Sequence, residues 1–140
     1  MRIDSIKDGI VIDHITAGKA MQLYQMLKLD RLDCQVAIIK NAASKLHGKK
    51  DIIKIDSSIE INLDVVGYVS PHATICIIRD GVVNEKKHLE LPHTLTDIIS
   101  CKNPRCITTT ERGIQQIFEL SDPEKGEYRC AYCDTKAENK

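Results

Sequence analysis

Over the first two thirds of the chain, apolar positions alternate between a period of two and a period of three to four. Ile10-Val-Ile-Asp-His-Ile15 follows Gly9 as a β-branched run and predicts a strand. After Thr16 and Gly18, the stretch Lys19–Leu29 spaces Ala20, Leu23, Tyr24 and Leu27 three and four residues apart, which predicts an amphipathic helix. Cys34–Ile39 predicts a second strand and Asn41–Gly48 a loop of small and polar residues. Lys49–Ile55 predicts a third strand, with Ile53 and Ile55 on one face and Lys54 on the other. Asp56-Ser57-Ser58 offers a cap for a second helix over Ile59–Val69, which Pro71 would stop. Ala73–Arg79 predicts a fourth strand, Asp80-Gly81 a tight hairpin, and Val82–Leu91 a fifth strand through a charged stretch.

The order β-α-β-β-α-β-β matches the split βαβ of ferredoxin-like folds with one strand added, an α+β architecture. Such a sheet carries its helices on one face and leaves the other for solvent, a partner sheet or a ligand. The pattern changes at Pro92-His93, dividing the chain into residues 1–92 and 93–140. Beyond it, Thr96–Ser100 predicts a strand, and Gly113–Leu120 with Tyr128–Arg129 complete a small all-β domain. A domain of that size buries too little apolar surface to fold unaided, so a metal is expected to supply folding free energy. The tail after Cys133 has no apolar strand pattern and is expected to be disordered.

That metal has an obvious ligand set. Cys101-Lys-Asn-Pro-Arg-Cys106 and Cys130-Ala-Tyr-Cys133 place two cysteine pairs on tight loops. Four thiolates at about 2.3 Å fill a tetrahedral sphere and leave no position for water, which describes a structural Zn2+ site, one per chain. The spacings within the pairs suit structural zinc. Two disulfides would need an exported chain, and a redox Cys-x-x-Cys would need a thioredoxin-like context; the sequence supplies neither. Cys34 and Cys76 lie inside apolar runs and read as core thiols.

Charge narrows the partners. Lys plus Arg and Asp plus Glu number 20 each, so no net field steers nucleic acid. The cysteine-bearing segment is slightly acidic and aromatics are few, which argues against a nucleic-acid-binding zinc finger. No apolar run is long enough for a membrane span, and the charged N-terminus lacks the apolar core of a signal peptide. The reading is a cytoplasmic chain with reduced thiols.

No catalytic constellation stands out. The five histidines form no His-Glu-x-x-His, and neither a Gly-x-Ser-x-Gly nor a phosphate-cradling Gly-x-x-x-x-Gly-Lys occurs. Lys49, Lys50 and Lys54 surround the third strand, and Lys86 and Lys87 lie on the fifth. Brought together, their ammonium groups would bind phosphates, with Asp13 placed to hold a ribose hydroxyl or an exocyclic amine. The alternative is an ordinary solvated edge protected by lysine. His14 should point from the side of its strand opposite Asp13 and has no nucleophile with which to work.

Several stretches together carry a family resemblance: Ile6-Lys7, Gly9, Val11-Ile-Asp-His-Ile15, Gly48-Lys-Lys-Asp-Ile-Ile-Lys-Ile55, Ala73-Thr74, Leu91-Pro92 and the four ordered cysteines. Over essentially its whole length the chain resembles the regulatory chains of aspartate carbamoyltransferase. The resemblance implies a nucleotide-binding α+β domain over residues 1–92 and a zinc domain over residues 93–140. It implies no catalysis by this chain. Regulatory homodimers would join catalytic trimers of a separate chain and pass on nucleotide control of pyrimidine biosynthesis, a pyrimidine triphosphate inhibiting and a purine triphosphate activating at one site.

By matching position, the resemblance gives Asp13 the ribose or base region, and Lys54 and Lys86 the phosphates and ribose, with Lys50 in the same stretch. Ile3, Ile6, Ile78 and Val83 would wall the base, and backbone near Ile6, Gly81 and Val83 would read its edge. Cys101, Cys106, Cys130 and Cys133 match the zinc ligands. Asn103 and Asp134 match positions facing the catalytic chain. Arg105 beside them replaces a smaller polar residue. The charged stretch Asn84–Glu90 departs from the pattern and leaves effector selectivity open. The competing reading is a free-standing nucleotide or small-molecule sensor with a zinc ribbon, acting on another enzyme.

Overall fold

A computed structural model describes residues 6–45 and 48–138. The chain forms two compact units, one ending at Glu90 and the other beginning at Leu91. The first is an antiparallel sheet in the order β2-β3-β1-β4-β5. Its strands are β1 Gly9–Thr16, β2 Val36–Ser44, β3 Gly48–Ile55, β4 Thr74–Arg79 and β5 Val82–His88. Helix α1, Ala20–Met26, links β1 to β2, and α2, Leu63–Val69, links β3 to β4. The first four strands and both helices make the expected ferredoxin-like unit, and β5 adds to its edge.

Register explains which face holds the core. Ile12 pairs with Ile53 on one side and Ile75 on the other, and Ile10 pairs with Ile55 and Ile77. These rows point to one face because alternate residues do. Ile10, Ile12, Ile53, Ile55 and Ile75 are buried there with Ala20 and Leu23 of α1 and Val65, Val66 and Val69 of α2. The intervening row, Lys54, Val11, Cys76 and Lys86, points to the opposite, helix-free face.

Several boundaries differ from the sequence expectation. The predicted loop Asn41–Gly48 is largely strand, since Ala42, Ala43 and Ser44 pair with Lys50, Lys49 and Gly48. A bulge at Asn41 (φ 60°) lets β2 keep pairing. Helix α2 starts at Leu63, not Ile59. Its cap is Asn62, whose side chain accepts from Asp64 N and Val65 N, and not the Asp56-Ser57-Ser58 cluster. Helix α1 stops at Met26, and Lys28, at φ 56°, turns the chain into a 3-10 turn, Leu29–Arg31.

The second unit is a three-stranded sheet ordered β6-β7-β8, with β6 Thr94–Thr96, β7 Ile117–Asp122 and β8 Glu127–Cys130. Leu95, Phe118 and Tyr128 form its small core, and Tyr128 Oη donates to the Pro92 carbonyl at 2.6 Å. One helical turn, α3 Ile107–Thr110, follows Cys106. The strand expected over Thr96–Ser100 ends at Thr96, because Asp97 takes φ 56° and turns to bond Gln116 through both backbone and carboxylate. The described part of the tail, through Glu138, is ordered, contrary to expectation. Ala137 N donates to Tyr128 O at 2.8 Å, Cys130 N to Thr135 O at 2.9 Å, and Lys136 bridges Arg129. Backbone pairing on an existing strand needs no apolar side chains, so the sequence pattern carried no sign of it.

Among the described residues no helix is long and apolar enough to cross a membrane.

Candidate functional site

The open sheet face is built by strand alternation. Asp13 and Val11 on β1, Lys50, Ile52 and Lys54 on β3, and Cys76 and Ile78 on β4 are even-numbered steps apart, so each set shares that face. Lys86 pairs with Cys76 and Val83 with Ile78, so β5 extends the same surface. At one end, near Gly9, lie Ile78, Val83 and the Asp80-Gly81 turn; at the other lie Asp13 and Lys50. Asp13 lies four residue steps along β1 from Gly9, the partner of Ile78, which spans about 13 Å at about 3.3 Å per residue.

Two close approaches fix the Gly9 end. A Cβ on Gly9 would strike the Ile55 carbonyl oxygen and lie 2.8 Å from Ile6 Cγ2, so only glycine fits and Ile6 packs directly on β1. Gly81 N donates to Lys7 O at 2.9 Å and Asp80 N to Asp8 Oδ1 at 3.1 Å, tying the β4–β5 turn to the segment before β1. The Gly81 amide is therefore engaged within the protein. Asp80 (φ 52°) and Gly81 (φ 78°) are both left-handed, as a two-residue hairpin turn requires.

At the other end, Lys50 Nζ lies 3.0 Å from Asp13 Oδ1, and both side chains are largely withdrawn from solvent. The same carboxylate oxygen accepts His14 N at 2.6 Å. Between Ile12 and Ile15 strand β1 gains a residue relative to β3, and His14 sits in that bulge at φ 57°. The bulge breaks the alternation that would have sent His14 to the opposite side from Asp13. Its ring Nδ1 instead lies 3.2 Å from Thr74 Oγ1, the residue paired with Asp13. Neither Lys54 nor Lys86 has a carboxylate within ion-pair distance among the described residues. Of the sequence-selected positions, Ile3 lies outside the described residues. Ile6, Asp13, Lys50, Lys54, Ile78, Gly81, Val83 and Lys86 lie along this one strip. Cys76, between the two lysines, is half-buried, and burial pushes its thiol up against the lowering influence of Lys86.

The four cysteines of the second unit converge, with all their sulfurs within 4.8 Å of one another. Cys101 Sγ and Cys133 Sγ are 3.6 Å apart, and Cys106 Sγ and Cys130 Sγ 3.7 Å. A disulfide bond would be about 2.05 Å, so these are free thiols. Tetrahedral ligands about 2.3 Å from one ion have edges of about 3.8 Å; the Cys101–Cys133 and Cys106–Cys130 pairs are set at nearly that spacing, and the other pairs lie within 4.8 Å.

Each knuckle is fixed locally. In the first, Asn103 carries the turn: Cys106 N and Thr109 Oγ1 donate to its carbonyl, and Arg105 N to its side chain. Gln116 Oε1 holds Cys101 N at 3.0 Å. In the second, Asp134 N donates to Cys130 O at 2.8 Å and Ala131 N to Ile117 O at 2.9 Å. Asn103 is half-buried, and Arg105 and Asp134 are exposed beside the cluster. The thiols divide into two classes. Burial pushes Cys101 up to about 12 and raises Cys130. The hydroxyls of Thr108 and Thr135 lower Cys106 and bring Cys133 down to about 6.

The family model described as "Aspartate carbamoyltransferase regulatory chain, allosteric domain" matches residues 1–90, and the one described as its metal binding domain matches residues 93–140. The chain belongs to the aspartate carbamoyltransferase regulatory chain family. Relatives bearing that name include one of Bifidobacterium longum, 47% identical over 98% of this chain and 99% of its own. Another, of Clostridium botulinum, is 51% identical over 96% and 92%, and one of Clostridium tetani is 50% identical over 96% and 94%. The four-cysteine cluster falls within the metal-binding match and the open sheet face within the allosteric match. The chain is thus a regulatory chain, not a catalytic one.

Sequence reasoning passed over Asp51. Its side chain is fully buried on the helix face of β3, where Oδ2 accepts from Gly18 N at 2.9 Å and Ala20 N at 3.2 Å, and Oδ1 from Asn41 N at 2.9 Å. One carboxylate thereby holds the start of α1 and the β2 bulge. The available signal was an Asp in step with Ile53 and Ile55, a polar residue on the apolar side of its strand.

Proposed function

We propose that this regulatory chain binds nucleoside triphosphates on the open face of its first domain and passes their effect to catalytic trimers of aspartate carbamoyltransferase. The observation that carries the reading is the lateral row Lys54-Val11-Cys76-Lys86, which sets on one surface two ammonium groups with no ion-pair partner among the described residues. Ammonium groups on a half-buried apolar floor suit phosphates, and Asp13 supplies an acceptor for a ribose hydroxyl. Ile6, Ile78 and Val83 form an apolar end for a base. A pyrimidine triphosphate inhibits and a purine triphosphate activates, competing for this strip and so regulating pyrimidine biosynthesis in the cytoplasm.

In this reading, the domain over residues 1–92 pairs with its copy in a second chain, and the domain over residues 93–140 docks on the catalytic chain. Docking uses the knuckle surface of Asn103, Arg105 and Asp134. The metal is Zn2+, held by Cys101, Cys106, Cys130 and Cys133; the near-tetrahedral sulfur spacing supports a closed site. Bound zinc supplies no reaction and fixes the two loops. A nucleotide acts at a distance by binding two quaternary states unequally, and a coupling of about 1–3 kcal/mol produces a visible shift in substrate saturation.

The test is carbamoyltransferase activity of the catalytic chain with and without this chain, across pyrimidine and purine triphosphates. Substrate saturation that shifts with nucleotide only in the chain's presence is expected. Saturation indifferent to nucleotide in the assembled complex overturns the proposal.

A further inference from the structure

The second cysteine of each pair is followed, two residues later, by a threonine: Cys106-Ile-Thr108 and Cys133-Asp-Thr135. The repetition is geometric as well. Thr108 Oγ1 donates to Cys106 Sγ at 3.1 Å, and the protonated Cys133 Sγ donates to Thr135 Oγ1 at 3.2 Å. The first cysteine of each pair, Cys101 or Cys130, has no hydroxyl at this distance among the described residues. The two threonines come from unlike elements, a single helical turn and the ordered tail, so one local fold does not explain both.

We propose that Thr108 and Thr135 are positioning residues of the metal centre. Each hydroxyl donates to a coordinating thiolate, spreads its charge and sets how slowly the metal leaves; at Thr135 the bond reverses once the Cys133 thiol gives up its proton. A thiolate that accepts a hydrogen bond keeps its ligand orientation, and loss of such a partner lowers metal affinity by about 10–100-fold in other metal sites. The ordered tail thereby becomes part of the site, because Thr135 touches Cys133 with its side chain and Cys130 N with its carbonyl.

The inference rests on the metal reading of the cysteine cluster. Full-length chain is loaded with Zn2+ or Co2+, and release to excess chelator is timed for Thr108→Val, Thr135→Val and the two Thr→Ser variants. The valines should release metal about tenfold faster. In the cobalt form, their sulfur-to-metal charge-transfer band should move to lower energy, and serine should restore both readouts. Parental release rates and an unmoved band in the valine variants overturn the inference, as does failure of serine to restore them. The two sites are tested separately, so a misfolded variant at one leaves the other to decide. If both valines misfold, serine variants that release metal faster than the parent or shift its band overturn the inference, and native values in both support it. A parent chain that takes up no metal fails the metal reading itself, a result distinct from all of these.

Discussion

Lys54 and Lys86 stand in one lateral row of the sheet, separated only by Val11 and Cys76. Three strand spacings of about 4.8 Å put their backbones about 14 Å apart, within reach of two long side chains converging on one phosphorylated ligand. Lys50 differs, since Asp13 already neutralises it at 3.0 Å. Lys54→Ala and Lys86→Ala should each weaken nucleotide binding about tenfold, the scale of one charge-assisted contact, while assembly with the catalytic chain persists. Calorimetric titration with a nucleoside triphosphate, beside sizing of the complex, reads both effects. Loss of assembly in Lys54→Ala would count against the assignment.

Asp51 ties three backbone N–H groups from two segments to one buried carboxylate. Asp51→Ala leaves those donors without their partner and should cost about 2–4 kcal/mol of the first unit's stability. Asp33→Ala, at an exposed position, should change it by less than about 0.5 kcal/mol. Urea unfolding of the metal-loaded chain, followed by far-ultraviolet circular dichroism, compares the two. Equal midpoints would show that α1 and the β2 bulge do not depend on Asp51.

These residues mark what could be read in advance. Strand β3 was legible because its alternation is local, and the cysteine ligand set because spacing within each pair is local. The row that joins Lys54 to Lys86 depends on the register of four strands, which no single stretch encodes. The β2 extension past Ile39 depends on Asn41 entering a left-handed bulge held by Asp51, ten residues along the chain. The cap of α2 was misplaced because Asp56-Ser57-Ser58 and Asn62 offer the same chemistry, and packing of Val65, Val66 and Val69 selects the second. The tail looked structureless because its order comes from backbone bonds to Tyr128 and Cys130.

Glu127 anchors that tail from β8. Its carboxylate accepts from Ser121 Oγ at 3.0 Å and lies 3.3 Å from Lys136 Nζ and 3.4 Å from Arg129 Nε. The Ser121 hydroxyl first, then Lys136 and Arg129, hold it below the ordinary glutamate value of 4.5. A carboxyl lowered by folding binds fewer protons folded than unfolded. Its stabilisation is therefore fully present above the ordinary value and lost as pH falls through 4.5 toward the lower folded value. Glu127→Gln should release metal faster than the parent at pH 6 to 7, roughly the fully ionised range, and the ratio should shrink as pH is lowered toward 4.5 for as long as metal stays bound. A ratio independent of pH would assign the effect to packing.

Metal removal should separate the two units. The second rests on a core of little more than Leu95, Phe118 and Tyr128, and its two knuckles are joined through the cysteine cluster. The metal's binding free energy is therefore largely folding free energy there. The first unit has its own core of isoleucine rows and two helices and contains none of the cluster. Chelation, or Cys106→Ala, should abolish amide protection across β6, β7 and β8 while β1, β3 and β4 stay protected. Hydrogen exchange read by mass spectrometry resolves the segments. Because the ligands are thiolates, the same loss should follow acidification, as protons displace the metal. If the second unit carries the docking surface, catalytic trimers should separate from the complex as its protection disappears. Retained protection across β7 and β8 after complete metal removal would show that the strands hold together unaided, and that the cysteines are not what folds this unit.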